Sequence, residues 1–255
     1  MNIPTRIGTD SAGFILNNTA KENIQNEFKY VIQASINLLR NVFAEKLHSV
    51  YVYGSVGRGE AVANESDLDL TVIVNSPTTL TEKDELSKKT LALLKRHKEI
   101  IKIDYDIGEM TEALAQENFY EWGFWLRHMC TCIYGEDLSN NFPRMKPNKK
   151  ISCALNSDLL TVIDHYLQEL TKENISGIYK RTMIKRLIRG AYLTLNVKDE
   201  SWSTKVNENL MIVQLYFPNE ELFEQIKLLK CSQKTIRNSE LIKIMEDFKL
   251  WLKST

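Results

Sequence analysis

The feature that most limits how this chain can fold is a Gly-Ser pair, Gly54-Ser55, followed after eleven residues by Asp67-Leu68-Asp69. The pair closes a β-rich run, HSVYVY from His48 to Tyr53. DLDLTVIV, from Asp67 to Val74, is β-branched and alternates in its first half. Two strands joined by a glycine-rich turn, with a helical turn or two inside it, are therefore expected. Residues two apart on a strand share a face and lie ~6.7 Å apart along the chain. Asp67 and Asp69 then project together, while Leu68, Leu70, Val72 and Val74 form the opposite, core-facing side. Adjacent carboxylates repel unless a cation lies between them. Hard oxygen ligands so placed suit Mg²⁺, which shares its coordination with substrate phosphates and water.

A third strand is expected over IIKIDYDI, Ile100 to Ile107, where Ile101, Ile103, Tyr105 and Ile107 share one face and Lys102, Asp104 and Asp106 the other. Paired beside the Asp67 strand, it adds a third carboxylate. Three carboxylates can hold two metals, one activating an attacking hydroxyl and one stabilising a leaving pyrophosphate. Gly54 at a strand end lets backbone come close to a phosphate, the turn after it offers N–H groups, and Ser55 adds a hydroxyl. No GK[ST] follows, and Gly54, Gly57 and Gly59 do not spell GxGxxG, so neither a Walker loop nor a dinucleotide fold is indicated.

Helical periodicity runs through residues 20–46, 80–98 and 111–134, the last with Gly135 as its C-cap. NFPRMKPNKK (141–150) combines two prolines with four basic residues and marks a domain boundary. Beyond it no strand is read; residues 153–172, 177–197, 203–216, 219–231 and 237–253 are all helical. The fold class is α+β: a domain over 1–148 with a small mixed sheet and flanking helices, then an all-α helical bundle over 149–255. Phe119, Trp122 and Trp125 read as interdomain core. His48, His97, His128 and His165 show no metal-binding spacing and read as structural.

Lys and Arg number 33 and Asp and Glu number 33, so no net charge draws the protein onto polyanions, and non-specific nucleic-acid binding is disfavoured. The N-terminus lacks a signal-peptide pattern, and no apolar run approaches the ~20 residues needed to span a bilayer. Cys130, Cys132, Cys153 and Cys231 form no CxxC pair and read as free thiols of a reducing cytoplasm.

YGSVGRGEAVANESDLDL with IKIDYDI resembles the DNA polymerase beta-like nucleotidyltransferase superfamily, whose signature is GS, a spacer, DxD or DxE, and a later strand carboxylate. The resemblance implies Ser55 at the triphosphate, beside Gly54; Arg58 is a further phosphate candidate or else a pin for its own loop. Asp67 and Asp69 would be metal ligands, and Asp104 the third carboxylate. Asp106 stays open on the same face, though the family register favours Asp104. YGEDL (134–138), YKRTMIKRLIRGAYLTL (179–195) and WSTKVNENL (202–210) extend the likeness to aminoglycoside adenylyltransferases acting on streptomycin or spectinomycin. This likeness implies a cytoplasmic, Mg²⁺-dependent antibiotic-resistance enzyme that moves a nucleotide, AMP from ATP or another NTP, onto a hydroxyl of a small molecule. Arg181, Lys185 and Arg189 are spaced i, i+4, i+8; with Lys205 they are candidates for the nucleotide phosphates, or else a salt-bridged surface stripe. Asp104 to Asp137 carries eight acidic residues against Arg127 alone, which suits a polycationic acceptor or is plain helix-surface charge. A member that modifies a protein or tRNA, antitoxin-like, and a non-catalytic nucleotide-binding member remain alternatives.

Overall fold

A computed structural model describes residues 2–172, 175–232 and 235–254. The chain divides into two compact units, Leu16–Met145 and Met1–Ile15 with Lys146–Thr255.

The first unit runs α1 (Asn26–Phe43), β1 (Leu47–Val52), α2 (Gly54–Arg58), β2 (Leu68–Val74), α3 (Leu80–Arg96) and β3 (Ile103–Glu109). It continues with α4 (Met110–Ala113), α5 (Phe124–His128) and β4 (Thr131–Gly135). The sheet order is β3-β2-β1-β4; β2 and β3 are parallel, the other pairs antiparallel. This is the mixed sheet the sequence implies, with α3 as the crossover that a parallel pair requires. One apolar cluster joins Phe28, Val31 and Leu39 of α1 to Leu68, Leu70 and Val72 of β2, with Leu86 and Leu93 of α3 and Ile103 of β3. Each such side chain contributes about 1.5–3 kcal/mol on burial. Thr79 starts α3 with a capping box, its hydroxyl accepting from the Glu82 N–H while the Glu82 carboxylate accepts from the Thr79 N–H.

The long helix expected over 111–134 is not formed. That stretch breaks into α4, a π turn at Phe119–Gly123, α5 and then β4, so its last residues are the fourth strand. Thr131, Cys132, Ile133 and Tyr134 suit a pleated surface, and β1 offers them a free edge, pairing Val52 with Thr131 and Val50 with Tyr134. Gly135 ends a strand rather than a helix. Its φ is +79°, and a Cβ there would lie 2.0 Å from the His48 carbonyl oxygen.

The aromatic residues have partners inside the sheet unit. The Trp122 ring sits over Gly108. Trp125 donates its indole N–H to Thr71 Oγ1 at 2.9 Å and meets Tyr53 edge-on at 5.0 Å between centroids. The segment after β3 therefore folds back over the sheet face opposite α1 and α3.

The second unit carries α6 (Lys149–Leu155), α7 (Leu159–Glu169), α8 (Gly177–Leu195), α9 (Val206–Tyr216), α10 (Glu221–Cys231) and α11 (Asn238–Ser254). Its hub is α8, which buries Met183, Ile184, Leu187, Ile188 and Ala191. The single helix expected over 153–172 is split into α6 and α7. At the break the Asn156 amide donates to the Gly190 carbonyl at 3.0 Å, and Arg186 binds the Asp158 carboxylate. The N-terminal segment is tied into this unit. The Thr5 N–H donates to the buried Asp199 carboxylate at 2.8 Å, and the Trp202 N–H to the Ile7 carbonyl at 2.7 Å. Among the described residues no helix is long and apolar enough to cross a membrane.

Candidate active site

The parallel register of β2 and β3 sets the site. Leu68 pairs with Ile103, Asp69 with Asp104 and Thr71 with Asp106. Partners in a parallel pair present side chains to the same face. Three rows therefore stand on the face away from α1 and α3: Asp67 with Lys102, Asp69 with Asp104, and Thr71 with Asp106. In the third row Thr71 is buried and accepts the Trp125 indole N–H, while Asp106 stays exposed.

The turn after β1 is pressed against the second row. Tyr53 donates its N–H to the Asp69 carbonyl at 3.1 Å, and α2 begins at the next residue. Gly54 has φ +65°, and a Cβ there would stand 1.9 Å from Asp69 Oδ2. Only glycine lets this backbone lie so close to that carboxylate. Ser55 follows in the first turn of α2, where N–H groups have no intrahelical acceptor. Arg58 ends α2 and donates Nε–H to Glu60 at 2.8 Å; its charge still reaches Asp69.

Electrostatics mark the same group. Burial, then the like charges of Asp104 and Asp67, push Asp69 up to about 6, against the pull of Arg58 and Lys102. Asp67 is also raised, by burial and then by Asp104, with Lys102 opposing. Its Oδ1 is sealed from solvent without a hydrogen-bond partner. Lys102 Nζ lies 2.5 Å from Asp104 Oδ1, and that bond raises the pKa of the lysine. Asp106 reaches solvent, yet desolvation by the protein around it, with Glu112 and Glu121 adding like charge, raises its pKa. The Tyr53 phenol is raised too, first by burial and then by Asp69 and Asp106.

Like charges held together and an orphaned buried oxygen are what a cation would relieve, and an all-oxygen donor set suits Mg²⁺. Among the described residues, no three acidic, imidazole or thiol groups stand together as a metal-binding cluster, and Asp104 is paired with Lys102.

The remaining candidates belong to the helical unit. Arg181 and Lys185 are on α8 and Lys205 is the residue before α9. The Arg181 guanidinium donates to the Ser232 carbonyl at 2.9 Å, Lys185 is exposed, and the Lys205 N–H donates to Ser203 Oγ at 3.0 Å. The acidic run is divided. Asp106, Glu112 and Glu121 share one field, whereas Glu136 lies 3.8 Å from His48 and Asp137 caps the Ser139 N–H at 3.0 Å. Sequence reasoning assigned no role to Tyr53; its place directly before Gly54, at the end of β1, was the available signal.

Residues 36–120 match the family model of the nucleotidyltransferase domain. That range is a nucleotidyltransferase domain. It contains β1, α2, β2, α3 and β3, and so every strand acid of the site. The fold of the chain also resembles the spectinomycin adenyltransferase AAD(9) from Enterococcus faecialis, whose crystal structure holds ATP and spectinomycin. The two share 19% sequence identity at a TM-score of 0.59, over 86% of this chain and 98% of that one. At that identity the likeness is one of fold. No curated protein matches the chain. With this domain the chain is an enzyme of the nucleotidyltransferase kind.

Proposed function

We propose that the chain moves AMP from ATP onto a hydroxyl of a small cationic molecule of the aminoglycoside kind. The observation that carries this is the register of β2 on β3, which sets Asp69 beside Asp104 with the Gly54 turn against Asp69. Asp67, Asp69 and Asp104 would hold Mg²⁺, Gly54 and Ser55 the triphosphate, with Arg58 beside them. When bound, Mg²⁺ neutralises the charge that builds on the phosphates during transfer. In the reaction the acceptor oxygen bonds to the α-phosphorus, the bond from that phosphorus to the bridging oxygen breaks, and pyrophosphate leaves. Asp104, or a glutamate of the acidic stretch, takes the hydroxyl proton. Arg181, Lys185 and Lys205 are assigned to the nucleotide on charge and helix spacing alone.

The sign of the local field points to the acceptor. Asp106, Glu112 and Glu121 extend the negative field beyond the metal ligands, which attracts a polyamine and repels an anion. ATP and spectinomycin in the similar adenyltransferase support ATP as donor and a small molecule as acceptor. Calorimetry with streptomycin, spectinomycin and kanamycin, with and without a non-hydrolysable ATP analogue, tests this. At least one should bind, more weakly as salt rises. No heat from any of them discards the aminoglycoside class.

A further inference from the structure

Lys102 stands one step before β3, where its carbonyl accepts from the Leu68 N–H at 2.9 Å, next to Asp67 in sequence register and two residues before Asp104. Its ammonium is 2.5 Å from the Asp104 carboxylate, and the side chains are 61% and 39% exposed. Asp67 and Asp69 also feel its charge. Four side chains on one face thus comprise three carboxylates and one ammonium, and that ammonium sits on a carboxylate the metal would need. An ion pair so open to solvent is weak, worth about 0–1 kcal/mol, so a divalent ion can displace it.

We infer that Lys102 is an internal competitor for the metal: it holds Asp104 in the free enzyme and yields it when a divalent cation arrives with a nucleoside triphosphate. The triphosphate brings the negative charge that the released ammonium then pairs with. Metal alone must break the pair without that return, so metal and nucleotide bind with positive coupling. Lys102 is a positioning residue, acting through Asp104. The inference rests on Asp67, Asp69 and Asp104 being the metal ligands.

The test is calorimetric titration of Mn²⁺ alone into the full chain, repeated with a non-hydrolysable ATP analogue present. Lys102→Met should bind Mn²⁺ alone roughly two- to fivefold more tightly than wild type, the size expected for loss of a partly exposed ion pair. Lys102→Arg should keep wild-type affinity. With the analogue present, the advantage of Lys102→Met should shrink or reverse. Lys102→Gln, measured in parallel, carries the same expectation should the methionine variant be poorly folded. Unchanged or weaker Mn²⁺ binding in the neutral variants overturns the role of Lys102. Asp69→Asn separates the two levels. If it binds Mn²⁺ as well as wild type, the ligand set itself is wrong. If it loses Mn²⁺ while the Lys102 variants match wild type, only the competitor role fails.

Discussion

Gly54 leaves no room for a side chain beside Asp69. Because Gly54 has φ +65° and its absent Cβ would fall 1.9 Å from the Asp69 carboxylate, Gly54→Ala must strain the turn and push the carboxylate aside. Such strain costs about 1–3 kcal/mol, and displacing a reacting group by about 1 Å costs on the order of a hundredfold in rate. Gly54→Ala should therefore lower both kcat/KM and Tm. Asp69→Asn should separate those two effects. Asp69 titrates at about 6 in the folded chain instead of the ordinary 3.8, so between these values the folded state binds more protons than the unfolded one. Stability from this group is fully present below about pH 4 and is lost as pH rises through about 6. Without metal, Asp69→Asn should melt above wild type at pH 7 by roughly 2–4 °C, the shift that about 1 kcal/mol makes in a chain of this size. Near pH 4 the two should converge. A variant that melts lower than wild type at pH 7 would show that the Asp69 charge is already compensated.

The strand register decides which carboxylate matters. Asp104 pairs with Asp69, whereas Asp106 pairs with Thr71, one row further from the Gly54 turn. Asp104→Asn should consequently lose far more kcat/KM than Asp106→Asn, by at least roughly a hundredfold if it serves both as ligand and as proton acceptor. The opposite ranking would move the third carboxylate to Asp106. Much of this is legible in the sequence. Strand alternation puts Asp67 with Asp69 and Asp104 with Asp106 whatever the fold, because the period of two is local. How far β3 slides along β2 is a long-range matter, and the spelling of either strand leaves it open. β4 was hidden for a related reason. Its five residues continue the apolar spacing of the helical stretch before them, and only the free edge of β1 and the broken π turn at Phe119–Gly123 show where the helix stops. Asn156 likewise ends α6 through a bond to Gly190, thirty-four positions away.

At the scale of the whole chain, the first fifteen residues group with the helical unit through Asp199 and Trp202, a tie no local pattern announces. Nucleotide binding should be visible in the stability of the intact chain. At a hundred times its Kd, a ligand that binds only the folded state adds about 2.7 kcal/mol, so MgATP should raise Tm by several degrees in wild type and by much less in Asp69→Asn. The most direct measurement tracks the α-phosphate itself. ATP labelled there is incubated with Mg²⁺ and the aminoglycoside panel, using wild type, Asp67→Asn and Asp69→Asn. Label should pass to at least one acceptor with release of pyrophosphate, and should stop in both variants and when Mg²⁺ is chelated. Transfer that survives in either variant, or no transfer to any acceptor by the wild type, would contradict the account.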